Sequence, residues 1–135
     1  MCRPAPEASG SNSFVATGAC AFEQRQGATC VITDDDLLMK IVRPTANDGR
    51  LVIFVSVENY GSAIGRTQAE VVVGVENAQG LFRWATRQAR VTESDEKSVK
   101  IAETHLTPVP PLKEQDVVVS GTLTCASSVT APDAR

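Results

Sequence analysis

The stretch Arg50 to Glu58, RLVIFVSVE, decides how this chain is read, because its side chains alternate with a period of two. Leu51, Ile53, Val55 and Val57 fall on one face, and Val52, Phe54, Ser56 and Glu58 on the other. The first face is uniformly apolar and belongs in a core. The second is apolar only in its first half, as expected where something covers part of it. Asn47-Asp48-Gly49 precedes the run and Asn59-Tyr60-Gly61 follows it, both with turn chemistry. The segment is therefore a bounded strand.

The same reading extends in both directions. Upstream, Leu37 to Arg43 (LLMKIVR) fits a strand with Leu37, Met39 and Ile41 inward, or a short helix capped by one of Asp34, Asp35 or Asp36. Pairing it with 50–58 through the loop 44–49 favours strand. Downstream, Thr67 to Val75 (TQAEVVVGV) alternates, and Asn77-Ala78-Gln79-Gly80 reads as a tight hairpin loop. Leu81 to Val91 carries both a broken alternation and a helical stripe through Leu81, Trp84, Ala85, Gln88 and Val91; the hairpin turn before it tips the reading to strand. Lys97 to Glu103 places Val99 and Ile101 on one face. Thr107 to Leu112 (TPVPPL) lacks three amide donors and reads as an extended connection or an edge. Asp116 to Cys125 (DVVVSGTLTC) alternates strongly, with Cys125 on the core face.

Adding 14–20 and 29–33 gives seven or eight short strands separated by turn signals. That pattern resembles an antiparallel β-sandwich of immunoglobulin-like architecture. The immunoglobulin family's own signature, a tryptophan between two widely spaced cysteines, is missing. At 135 residues the chain fits one domain able to bury roughly two-thirds of its unfolded surface. Valine dominates an aliphatic core, since only six residues are aromatic, and valine favours a pleated surface. Residues 1–13 (MCRPAPEASGSNS) read as a flexible tether, 14–125 as the sandwich domain, and 126–135 as a frayed tail.

The four cysteines, Cys2, Cys20, Cys30 and Cys125, point to an oxidising compartment. Cys20 and Cys30 bracket a short polar loop, where a bridge would staple a hairpin and contribute about 2–3 kcal/mol. Cys125 is the next expected to be engaged, although four cysteines allow three pairings. Met1-Cys2 followed by a polar linker also fits a processed lipoprotein, making Cys2 a candidate lipidation site; the other reading is a native start with cysteine second. Acylation of Cys2 would leave one remaining cysteine unpaired.

Composition narrows the function classes. A net charge of −3 with scattered cations argues against nucleic-acid binding. No apolar run approaches the roughly 18 residues a membrane span needs. No Cys-x-x-Cys pair exists and His105 is the sole histidine, so neither a metal site nor a thiol–imidazole pair is read here. Asp34-Asp35-Asp36 resembles a cation site, but consecutive carboxylates on an extended chain point to opposite faces; a solvated turn is the reading. No catalytic motif is found, and no cofactor is expected. The best contact surface is the neighbourhood of Phe82, Arg83, Trp84 and Arg87, with Arg90 nearby and the edge at 108–111, because arginine and tryptophan are enriched at binding hot spots. Trp84 as a core anchor with a solvated arginine rim is the competing reading.

The expectation is thus a non-enzymatic secreted or periplasmic module. It would bind another envelope or extracellular protein or serve a structural role, with a possible outer-membrane anchor at Cys2. A small-ligand or carbohydrate-binding sandwich is the alternative.

Overall fold

The computed structural model describes residues 2–4, 7, 10, 12–33, 35–45, 48–58, 60 and 69–131. The chain is all-β, one large mixed sheet of ten strands with no α-helix among the described residues. In order these are β1 (Phe14–Gly18), β2 (Phe22–Gln24), β3 (Ala28–Thr33), β4 (Asp36–Pro44) and β5 (Arg50–Val57). Then follow β6 (Ala69–Asn77), β7 (Gly80–Thr86), β8 (Val91–Ser94), β9 (Ser98–Pro108) and β10 (Val117–Ala131).

Strands β3 to β7 pair antiparallel in sequence order. β5 is central, with Ile53 opposite Ile41 on one side and Val73 on the other. β9 pairs with the end of β7 through Trp84↔Pro108 and Ala85↔Thr107, and with β8 and β10 over the rest of its length. β10 first runs between β9 and β1, then continues past Cys125 to pair in parallel with β3. The pairings therefore close a ring, β3-β4-β5-β6-β7-β9-β10 and back to β3. β1 with β2 extends from one side of β10, and β8 from β9.

One contiguous apolar core results. It takes Leu51, Ile53, Val55 and Val57 from β5 and Val71, Val73 and Val75 from β6, together with Phe14, Val99, Ile101, Leu106, Val117, Val119 and Leu123. Nearly all are fully buried and most are β-branched, the side chains that pack best on a pleat. Residues 37–43 and 81–86 are strands, as the hairpin arguments expected, but the stretch read as one strand to Val91 breaks after Thr86, and Val91 begins β8.

Three features of the chain's path differ from the sequence reading, and the cysteine pairing is a fourth. First, ten strands form rather than seven or eight, because β2 and β8 are too short to show an alternation of their own. Second, the sheet is mixed rather than purely antiparallel. Gly121 makes this possible: it adopts a φ of 120°, and a Cβ there would lie 1.8 Å from the Ser13 carbonyl oxygen. That close approach lets the strand pass beneath the N-terminal segment and go on. Residues 126–131, expected in a frayed tail, are therefore strand, while 132–135 lie outside the described residues.

Third, the described part of residues 1–13 is docked. Glu7 accepts hydrogen bonds from Gln24 Nε2 at 2.7 Å and from the amides of Arg25 and Gln26 at 2.8 and 3.1 Å. It also lies 3.6 Å from the guanidinium of Arg43, a buried pair whose arginine donates to the Glu23 carbonyl and to Gln24 Oε1. Asn12 is buried, donates to the Gln26 carbonyl and accepts from the Thr124 amide. A Pro-, Ser- and Ala-rich composition hides such anchoring, because two polar side chains, a Pro4–Thr45 backbone bridge and one cystine carry it.

The cysteines pair as Cys2–Cys20 and Cys30–Cys125, with none free. The expected Cys20–Cys30 staple does not form. β1 turns back onto β2 (Phe14↔Gln24), whereas β3 lies between β4 and β10, so the two cysteines have different neighbours. The sulfur of Cys2 is in a disulfide and cannot also carry a thioether-linked lipid.

Candidate protein-binding surface

Because β3 to β7 alternate strictly, the residues opposite the core form a second, outward face. The register aligns them in rows. One row runs Thr29, Lys40, Phe54, Val72 and Ala85; the next runs Val42, Val52, Gly74 and Arg83. Val52 and Phe54, the half-apolar side of RLVIFVSVE expected to be covered, are half-buried here. Three of the four large hydrophobic residues that remain exposed, Val42, Leu81 and Val129, belong to this face.

Arg83 and Arg87 are both exposed on it. Gly74 lies opposite Arg83, and a Cβ there would approach the Arg83 Cγ to 3.3 Å. The missing side chain lets the arginine stem lie close over the strand, a recurrent use of glycine within sheets. Arg87 extends to within 3.7 Å of Glu70, with nine-tenths of its side chain accessible, so this ion pair holds it only weakly.

Two grooves meet along Arg83. One, of about 570 Å³, is lined by Glu70, Val72, Arg83, Arg87, Thr107 and Val109. The other, of about 480 Å³, is lined by Phe82, Arg83, Val109, Pro110, Pro111 and Leu112. The ridge between them is fixed by the Val109 amide donating to the Arg83 carbonyl at 2.9 Å. The proline-rich edge and the arginines thus share one surface. A third groove of about 510 Å³ runs over Thr29, Val31, Leu38, Lys40, Val42 and Phe54.

Trp84 is not part of this surface. It is fully buried, opposite Val73, and its indole N–H donates to the Gln115 carbonyl at 3.0 Å. It is the main aromatic anchor of the core, and period two places it opposite its arginine neighbours. Phe82 shares its parity but lies nearer the strand end, where it is half-buried and reaches a groove. Arg90 is exposed and its amide donates to Thr104 Oγ1. Val109 belongs to the edge at 108–111 that the sequence reading included, whereas Glu70, Val72 and the third groove were missed, although the outward positions of TQAEVVVGV mark the first two.

His105 is an exposed residue 3.5 Å from Asp116. Asp35 and Asp36 belong to the turn and start of β4, and Asp34 lies outside the described residues. No group of His, Cys, Asp and Glu suited to a metal occurs among the described residues. No helix among them is long and apolar enough to cross a membrane. Comparison with known proteins yields no matching family model, curated protein or solved structure.

Proposed function

We propose that this chain is a non-enzymatic protein-binding module of immunoglobulin-like sandwich type, acting outside the cytoplasm on another envelope or extracellular protein. The observation that carries the reading is the pair of exposed arginines, Arg83 and Arg87, set along grooves lined by both polar and apolar side chains on the outward sheet face. Guanidinium groups supply planar, bidentate contacts to carboxylates, and the grooves accept apolar side chains beside them. The partner expected is therefore a protein surface that mixes acidic and apolar residues. Two disulfides are consistent with an extracellular or periplasmic site. A lipid anchor at Cys2 is not carried forward, since its sulfur is engaged.

A carbohydrate-binding role is less well supported. Burial of Trp84 removes the aromatic platform on which a sugar would stack. The test is Arg83→Glu with Arg87→Glu, measuring melting temperature and the proteins retained by the immobilised domain from a native extract. A partner bound by the wild type and lost by the variant at equal stability supports the surface. Unchanged retention overturns it, and a collapsed melting temperature assigns the arginines to the fold.

A further inference from the structure

We propose that the C-terminal half of β10 is a self-association edge, through which two copies of this chain join their sheets about a two-fold axis. Up to Thr124, β10 has β9 on one side and β1 or the N-terminal segment on the other. The Cys125 amide donates to the Lys97 carbonyl, after which β9 has ended. From Ser127 to Ala131 the strand pairs with β3 on one side, and no strand among the described residues pairs with the other. Alternate N–H and C=O groups of a strand face alternate sides, so this stretch presents a row of unpaired backbone groups to solvent.

The other two edges carry features that discourage pairing. β2 is three residues long, bears Glu23, and is followed by amides at Arg25 and Gln26 already given to Glu7. β8 has a register shift between Val91 and Glu93 and leads into Asp95 and Glu96. From Ser127 onward the β10 edge has none of these features, its one register shift lying before it, between Cys125 and Ser127. Ala126 to Ala131 (ASSVTA) is uncharged and free of proline and glycine, and it pairs without irregularity from Ser127 onward. Side chains 126 to 130 are all exposed, Val129 to 62%.

The occupant that fits is a second copy. A two-fold axis normal to the sheet sets the strand antiparallel to itself. A charged strand would then face its own charge. Here serine, threonine and valine face one another, pairs that are favourable across an antiparallel ladder. The Cys30–Cys125 bridge also holds the strand on β3 beforehand, so little ordering is left to oppose association. Pairing over about six residues is a small interface, which predicts a weak dimer.

Sedimentation equilibrium of the intact protein, from micromolar to millimolar concentration, tests this independently of the arginine surface. The expected result is a rise from monomer to dimer mass with no larger species, and loss of that rise in Ser127→Lys with Val129→Lys. Hydrogen exchange of the wild type should show protection of residues 126–131 that increases with concentration, and this second reading does not depend on the variant folding. Arg83→Glu with Arg87→Glu should dimerise like the wild type. A monomer at every concentration, a lysine variant that still dimerises, protection unaffected by concentration, or loss of the dimer in the arginine variant each overturns the proposal.

Discussion

Removing Cys30–Cys125 should destabilise the chain more than removing Cys2–Cys20, although both bridges link buried or half-buried positions. The bridges close loops of very different length, with sequence separations of 95 and 18 residues. In the chain-entropy treatment, the unfolded ensemble is restricted by about 4.7 kcal/mol in the first case and about 3.2 kcal/mol in the second. An unfolding entropy of about 2.1 cal/mol/K per residue over the whole chain gives about 0.28 kcal/mol/K. Cys30→Ala with Cys125→Ala should therefore lower the melting temperature by about 17 °C, and Cys2→Ala with Cys20→Ala by about 11 °C. The first loss is a third or more of the stability of an ordinary domain. It should also loosen β10 on β3, which only that bridge ties covalently. The assay is denaturant unfolding followed by tryptophan fluorescence, since Trp84 is fully buried, with thermal melts alongside. Equal losses, or a greater loss for the Cys2–Cys20 pair, would refute the loop-length reasoning and assign the stabilisation to native-state contacts instead.

Further outcomes follow from single positions. Glu7→Gln leaves the Arg43 guanidinium buried without its carboxylate and should cost about 3 kcal/mol, read as a lower denaturant midpoint at unchanged slope. Gly121→Ala must displace the Ser13 carbonyl from a positive-φ position and should destabilise by at least about 1–3 kcal/mol, whereas Gly27→Ala, tight but at ordinary φ, should cost less; thermal melts of the two variants compare them. Gly74→Val should leave the melting temperature within a few degrees yet weaken partner retention, because its side chain lifts Arg83 off the sheet.

The sequence was most legible where one face of a strand is buried and the other is not. RLVIFVSVE, TQAEVVVGV and LLMKIVR show this alternation. Arg50–Val57, the described part of TQAEVVVGV from Ala69 onward, and LLMKIVR are strands with the expected inward residues, while Thr67 and Gln68 lie outside the described residues. Alternation says nothing of which strands become neighbours. The parallel pairing of β10 with β3 links segments about a hundred residues apart, and it alone decides that Cys125 meets Cys30. The tail ASSVTA carries no periodic signal because both of its faces are open to solvent. The N-terminal segment is held by Glu7 and Asn12, whose partners are chiefly backbone amides and carbonyls, and no composition reports those. In the candidate surface, Arg83 and Arg87 were legible from residue type. Trp84 was legible as the competing reading, a core anchor with the arginines as its rim, and period two, which sends it to the face opposite Arg83, accounts for that outcome.

The two halves of this architecture have different tolerances. β2, β4 and β10 meet the docked N-terminal segment through the hydrogen bonds of Glu7, its buried pair with Arg43 and the close Gly121 contact, and Cys2–Cys20 ties the segment to the β1–β2 connection, so most substitutions there act on stability. The outward face of β3 to β7 makes none of these contacts. Its exposed positions Lys40, Val42 and Arg83 take part in strand pairing only through the backbone, and Arg87 lies just past the end of β7, so their side chains can change without loss of the ladder. A rigid scaffold that leaves one broad sheet face free to vary is the arrangement a recognition module needs, and it separates the two kinds of variant experimentally. Substitutions on the outward face should alter binding at constant melting temperature. Those around Glu7, Gly121 and the cystines should alter both together.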